Sequence, residues 1–133
     1  MKDVQQWIKN CEGLKLHLYI DTKGNPTLGW GRNLRKGISS DEAELMFQND
    51  FRQTLAELDS CEWYLSLPYI VKCAIINMNF NLGLTKLLGF TKMIAALTDK
   101  NYTVAAQEVL NSLWATQVGQ RAKDVSIMIR EGK

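Results

Sequence analysis

Apolar positions at the start of the chain recur with a helical period: Val4, Trp7, Ile8 and Cys11 stand at i, i+3, i+4 and i+7. With Asp3 placed to cap the first turn, the pattern predicts a helix over 3–11 that ends at Cys11–Glu12–Gly13. The period then changes to two. Leu14, Leu16, Leu18 and Ile20 alternate with Lys15, His17 and Tyr19, which predicts a strand with one apolar face. Asp21–Thr22–Lys23–Gly24–Asn25–Pro26 supplies turn residues, and Thr27–Leu28–Gly29–Trp30–Gly31 returns as the partner strand of a hairpin. Gly29 and Gly31 are costly inside an ordinary strand, so they mark a bulge or a place where another group approaches the backbone closely.

Helical periods occupy the rest of the chain. Ser39 and Glu42 have capping-box spacing and open a helix that carries Ala43, Met46, Phe47, Phe51, Leu55 and Leu58 and runs to about Leu58. Pro68 suits a first helical turn; beyond it Val71, Ala74, Ile75 and Met78 form the apolar face of a central helix that Gly83 closes. Further helices are expected over 91–97, 102–113 and 120–130, interrupted by Gly89, Asn101 and Gly119. The order of helix, small sheet and helices gives an α+β class, with a small N-terminal β-hairpin lobe (about 13–38) beside a larger helical lobe (39–133 plus the helix 3–11). A cleft between two such lobes is where a ligand is expected.

Length and composition narrow the possibilities without naming a function. The 133 residues fit one domain. A hydrophobic fraction of 46% with 23% charged residues excludes a disordered or collagen-like chain. No apolar run approaches the ~18 residues of a membrane span, and the N-terminus lacks a signal-type segment, so synthesis in the cytoplasm without stable membrane insertion is expected. A net charge of +2 is too weak for a nucleic-acid footprint. Cys11, Cys61 and Cys73 fit neither a disulfide framework nor a zinc site and read as small core residues. Trp7, Trp63 and Trp114 fall on or beside apolar helical faces and read as core as well. The only histidine, His17, lies on the polar alternation of a strand and has no second histidine with which to form a nucleophilic or metal site.

Three oxygen-bearing side chains converge on the hairpin: Glu12 at the helix end, Asp21 at the end of the first strand and Thr27 at the start of the second. Two carboxylates facing one bond are the minimum for glycoside hydrolysis, in which a protonated acid serves the leaving oxygen while the other group activates water or attacks. Equally, a Glu at a helix end and an Asp in a turn can be a surface charge and an Asx-turn. Spacing alone leaves both readings open.

The wording of the segment goes further. Glu12-Gly13-Leu14, Asp21-Thr22-Lys23-Gly24 and Thr27-Leu28-Gly29-Trp30-Gly31, at these separations, closely resemble the active-site stretch of phage-type lysozymes, glycoside hydrolase family 24. Asp41-Glu42-Ala43-Glu44 with Phe47, Ile76 through Gly83, Gly89-Phe90-Thr91, Trp114 and Gln120-Arg121-Ala122-Lys123 are similar to later family positions in order, so the likeness covers most of the chain. The chain is shorter than family members of the T-even kind, chiefly between Asn33 and Ser40 and at the C-terminus.

The resemblance implies a lysozyme-like fold and a monomeric muramidase that needs no cofactor or metal. Its partner would be bacterial peptidoglycan, cleaved between N-acetylmuramic acid and N-acetylglucosamine after release of the enzyme from the host cytoplasm to the periplasmic wall. It implies Glu12 as general acid, Asp21 as the carboxylate assisting water, Thr27 as a positioning hydroxyl, and Arg121 as a supporting cation paired with the acid. A cation there favours ionisation, so burial has to oppose it. Gly31, Asn33, Phe80 and Asn81 are the implied substrate-binding positions, the contact at Asn33 being assigned to its backbone. Phe80 remains open between cleft and core, and the face taken by Trp30 is not decided by alternation. Arg32 replaces a family histidine, and an Arg32–Asp50 pair is expected in its place. Met93 and Glu108 differ in type from the family's cleft residues and stay off the site list. Members of the T-even kind invert the anomeric centre. The alternatives are a lytic transglycosylase, in which one Glu acts alone, and a catalytically inactive peptidoglycan-binding module.

Overall fold

The computed structural model describes residues 1–132. They divide into two compact units, Met1–Met46 and the chain from Phe47 on, with the boundary inside a long helix.

The first unit contains α1 (Lys2–Glu12), strands β1 (Lys15–Ile20), β2 (Pro26–Gly29) and β3 (Arg32–Asn33), a 3-10 turn (Leu34–Lys36) and the start of α2 (Ser40–Asp59). The strands form one antiparallel sheet in the order β1-β2-β3; β3 is a third strand that the period-two pattern is too short to reveal. Asp3 does not cap α1. It lies within the first turn, behind Met1 at the cap position, where its charge still complements the helix dipole. Between the pairs Lys15↔Gly29 and Tyr19↔Thr27 the register slips, because β1 advances further than β2. This bulge breaks the alternation, and the expected apolar face is not buried: Leu16, Leu18 and Ile20 are all exposed.

Trp7 and Cys11, expected in the core, are exposed too. A unit of this size offers α1 little more than a small sheet to pack on, and small bodies bury a small share of their surface. Within it only Thr27 is buried among the described residues.

Ser39 and Glu42 form the expected capping box at α2. Ser39 Oγ accepts from the Glu42 N–H at 3.2 Å, and Glu42 Oε1 accepts from the Ser39 N–H at 3.0 Å. The apolar stripe of α2 is buried only toward its C-terminal end, at Thr54 and Leu58, whereas Ala43, Met46 and Phe47 stay exposed.

The second unit adds α3 (Glu62–Leu65), α4 (Tyr69–Leu82), α5 (Leu84–Leu88), α6 (Thr91–Thr98), α7 (Tyr102–Leu110), α8 (Leu113–Val118) and α9 (Gln120–Glu131). The short α3 and α5 escaped the periodicity. The expected helix over 102–113 stops earlier because Ser112 caps a new one: its Oγ accepts from the Ala115 N–H at 3.1 Å. α4 is central as its apolarity predicted. Val71, Ala74, Ile75 and Met78 are fully buried, joined by Leu87, Met93, Val109 and Ile129 from four other helices. Cys61 and Trp114 belong to this core, and Trp63 packs against it. A helical majority with one small antiparallel sheet is the α+β class read from the sequence. Among the described residues no helix is long and apolar enough to cross a membrane.

Candidate active site

Glu12 ends α1, and Gly13, with φ of 71°, turns the chain out of the helix. The Glu12 carboxyl lies against the backbone of Gly31. A Cβ at Gly31 would run into Oε2 and come within 2.8 Å of Cδ. Gly31 also has φ of +76°, so two independent facts require glycine there. The close approach expected at one of the two strand glycines is thus at Gly31, and the approaching group is the candidate acid. Gly29, at φ +70°, has open space where a Cβ would stand and serves backbone conformation alone.

Asp21 organises the β1–β2 turn. Its Oδ1 accepts from the Lys23 N–H at 2.9 Å and the Asn25 N–H at 2.8 Å, and Oδ2 accepts from Asn25 Nδ2 at 3.4 Å. The main chain closes the loop through Asp21 N–H to Asn25 O at 2.9 Å and Gly24 N–H to Asp21 O at 3.0 Å. These donors, the Asn25 N–H foremost, hold the carboxyl below its ordinary pKa, with partial burial opposing them and the Lys23 charge assisting. Asp21 is therefore an ionised group at neutral pH. Thr27 is buried at 3% exposure, and its hydroxyl donates to Asn25 O at 2.9 Å. Asp21 and Thr27 are thus tied to one residue, Asn25, which the sequence reading treated only as turn composition. An amide residue directly before Pro26, within reach of an Asp four positions earlier, was the available signal.

Gly31 and Asn33 line an open cavity of about 700 Å³ together with Trp30, Arg32, Glu42 and Met46. The Asn33 side chain is occupied in capping the 3-10 turn, accepting from the Arg35 N–H at 3.0 Å. Trp30 turns its ring toward α1, where Lys9 Nζ stands 5.2 Å from the ring centroid. The expected Arg32–Asp50 pair does not form: Arg32 Nη1 bonds Glu42 at 2.9 Å. Glu42 is in the first turn of α2, beside β3, whereas Asp50 is eight residues and about 12 Å further along the helix. Arg32 and the Ser39 donors together hold the Glu42 carboxyl down at about 2.

In the second unit Phe80 is 37% exposed, and its ring meets that of Phe47, also exposed, at 5.5 Å between centroids, so it is not part of the buried core. The amides on either side each make a structural bond. Asn79 is buried and donates to Glu57 Oε2 at 3.0 Å; Asn81 Oδ1 accepts from the Trp114 indole at 2.8 Å. Asn79 is therefore no surface donor for a sugar. Arg121 is held by Asn77, donating from Nε to Oδ1 at 2.7 Å and from Nη2 to the carbonyl at 3.3 Å. A second open cavity, of about 560 Å³, lies within this unit and includes Trp114, Met93 and Glu108, the last two being positions left off the site list. Among the described residues no group of three or more His, Cys, Asp or Glu could hold a metal ion.

Comparison with known proteins gives a consistent result. The family model described as phage lysozyme matches residues 9–130. Two proteins of Dictyostelium discoideum, probable T4-type lysozymes 1 and 2, are 27% and 26% identical to the chain, each over 99% of it and 96% of their own length. The pre-baseplate central spike protein Gp5 of Enterobacteria phage T4 is 24% identical over 96% of the chain, which corresponds to 27% of that longer protein.

Proposed function

The chain belongs to the phage lysozyme family and is a glycoside hydrolase, and from that premise we propose that it cleaves the β-1,4 bond between N-acetylmuramic acid and N-acetylglucosamine in bacterial peptidoglycan. Glu12 is the general acid, Asp21 assists the attacking water and Thr27 positions it. Gly31 and Asn33 offer backbone contacts to sugar, Phe80 an aromatic edge, Asn81 an amide, and Arg121 a supporting charge. Release from the host cytoplasm brings the enzyme, as a monomer, to the periplasmic wall.

The observation that carries this reading is the contrast between the two carboxylates. Asp21 is gripped by N–H donors that keep it ionised, which suits a group that orients water and accepts a hydrogen bond from it. Glu12 has the Gly31 backbone packed against it. Because Glu12 is exposed, the water exclusion that makes a general acid effective has to come with bound glycan. Hydrolysis then adds water across the bond: the proton goes from Glu12 to the leaving oxygen, and hydroxide equivalent, its proton taken up by Asp21, goes to the anomeric carbon.

One observation favours the rival. Both Asp21 oxygens are engaged in building the turn, which is what a purely structural Asp would do, and a lytic transglycosylase needs only the Glu. Mass spectrometry of digests of purified sacculi separates the two. Muropeptides with ordinary reducing ends are expected; products lighter by one water would establish the transglycosylase reaction instead.

A further inference from the structure

Arg35 stands in the 3-10 turn after β3, ten residues beyond Asn25, yet it reaches back to the β1–β2 turn. Its Nε donates to Asn25 Oδ1 at 3.1 Å and its Nη2 to Gly24 O at 3.1 Å. The guanidinium thus spans two acceptors on consecutive residues, one side-chain and one main-chain. Its own backbone is fixed in turn, because the Arg35 N–H donates to the Asn33 side chain and Asn33 pairs with Thr27 across β2 and β3. The loop of contacts is closed: Asn25 bonds Asp21 through its N–H and its amide, takes the Thr27 hydroxyl on its carbonyl, and offers its remaining side-chain oxygen to Arg35.

We propose that Arg35 is a positioning residue of the active site, a brace that fixes Asn25 and through it the Asp21 carboxylate and the Thr27 hydroxyl. This rests on the roles assigned above to Asp21 and Thr27. Gly24, at φ +82°, is a glycine in the left-handed region next to the group being placed, so the turn has backbone freedom that an external hold can remove. Asn25 holds Asp21 and Thr27 chiefly through its own backbone N–H and carbonyl, so what has to be fixed is the course of the main chain at 24–25. The Arg fork pins the Asn25 side-chain oxygen and the neighbouring carbonyl together. Lysine, with one ammonium at the end of a flexible stem, has no equivalent planar fork. Active-site groups need supporting contacts of this kind, because displacement of about 1 Å can cost on the order of a hundredfold in rate.

The test is steady-state hydrolysis of purified peptidoglycan by the wild type, Arg35→Ala, Arg35→Lys, Asp21→Asn and, as a charge control, Lys2→Ala on the exposed start of α1, each with a thermal melt. Arg35→Ala should lower kcat by about tenfold to a hundredfold with KM changed by less than about twofold, because the groups displaced act on the water rather than on glycan binding. Arg35→Lys should remain closer to Arg35→Ala than to the wild type, and Lys2→Ala should match the wild type. Should Arg35→Ala melt below the assay temperature, Asn25→Ala carries the test with the same expected loss of kcat, since it removes the bridge and leaves the Gly24 bond. Wild-type kcat in Arg35→Ala beside an inactive Asp21→Asn overturns the brace and leaves the catalytic reading standing. Full rescue by lysine, or an equal loss in Lys2→Ala, overturns it in favour of a general charge effect. Wild-type kcat in Asp21→Asn overturns the assigned role of Asp21, and the brace with it.

Discussion

The two units are held together by different physics. From Leu58 on, the described residues bury a continuous apolar core, with Ile75, Met78, Leu87, Met93 and Ile129 fully enclosed. In the unit up to Met46 the sole buried residue is Thr27, and its order comes from polar devices: the Asp21 turn, the Asn33 cap, the Ser39–Glu42 box and the Arg32–Glu42 pair. The candidate carboxylates lie in the polar unit. A core stabilises without directing side chains toward solvent, whereas hydrogen-bonded turns aim specific oxygens outward at little gain in stability. The placement of chemistry in the less apolar unit follows from that.

The contrast can be broken first in the core. Ile75→Ala removes most of a fully buried side chain from α4 and should destabilise by about 2–5 kcal/mol, read as a lower denaturation midpoint by circular dichroism. A loss under 1 kcal/mol would mean that the second unit does not depend on this core. Next comes Gly31→Ala. The left-handed φ alone costs about 1–2 kcal/mol, and the new methyl has to displace the Glu12 carboxyl, so activity should fall far more than stability does. Assay and melt on one preparation check this. Equal, modest losses in both would show that the Gly31–Glu12 contact has no catalytic consequence.

A smaller effect sharpens the boundary between elements. Ser112→Ala removes the cap that starts α8 and should cost about 1 kcal/mol. Denaturant titration detects it, and no change would mean that α7 and α8 need no capping signal to separate. The smallest effect is electrostatic and belongs to the first unit. Glu42 is held at about 2 against an ordinary 4.5, and Asp21 is lowered as well. Carboxyls whose pKa is depressed by folding contribute stability that is complete above the ordinary value and is lost as pH falls through the folded one. Protection factors for amide exchange in the β1–β3 region, taken relative to the intrinsic rate at each pH, should therefore fall between about pH 4.5 and pH 2, while those in α4 hold. High salt should shrink the difference, since both carboxyls are only partly buried and stay within reach of solvent ions. A pH response shared equally by α4 would contradict the separation.

The same contrast governs what the sequence made legible. Val71, Ala74, Ile75 and Met78 announced α4 because burial on a helix imposes a period, and all four are enclosed. In the first unit the period misled: Leu16, Leu18 and Ile20 alternate as a buried face would, yet the bulge leaves them exposed. Turn and cap chemistry was the better guide there. It revealed the Asp21 turn and the Ser39–Glu42 box, because each is a short-range rule satisfied within a few residues. Pairings across a longer span were not legible. Arg32 was matched to Asp50 through family position, while its partner is Glu42, and nothing in the sequence pointed from Arg35 back to Asn25. Phe80 stayed open for a related reason: its partner is Phe47, a whole helix away in sequence.

The central claim is that the polar unit supplies the acid, and it is tested most directly by Glu12→Gln. Lysis of chloroform-treated Gram-negative cells by the variant and by the wild type is compared, with circular dichroism taken on the same samples. The amide keeps the shape of the side chain against Gly31 but has no carboxyl proton to give. The account predicts an unchanged spectrum and a loss of turnover of at least about a hundredfold, the lower range for removal of an acid–base group. Lysis within about tenfold of the wild type, from a folded variant, would contradict it.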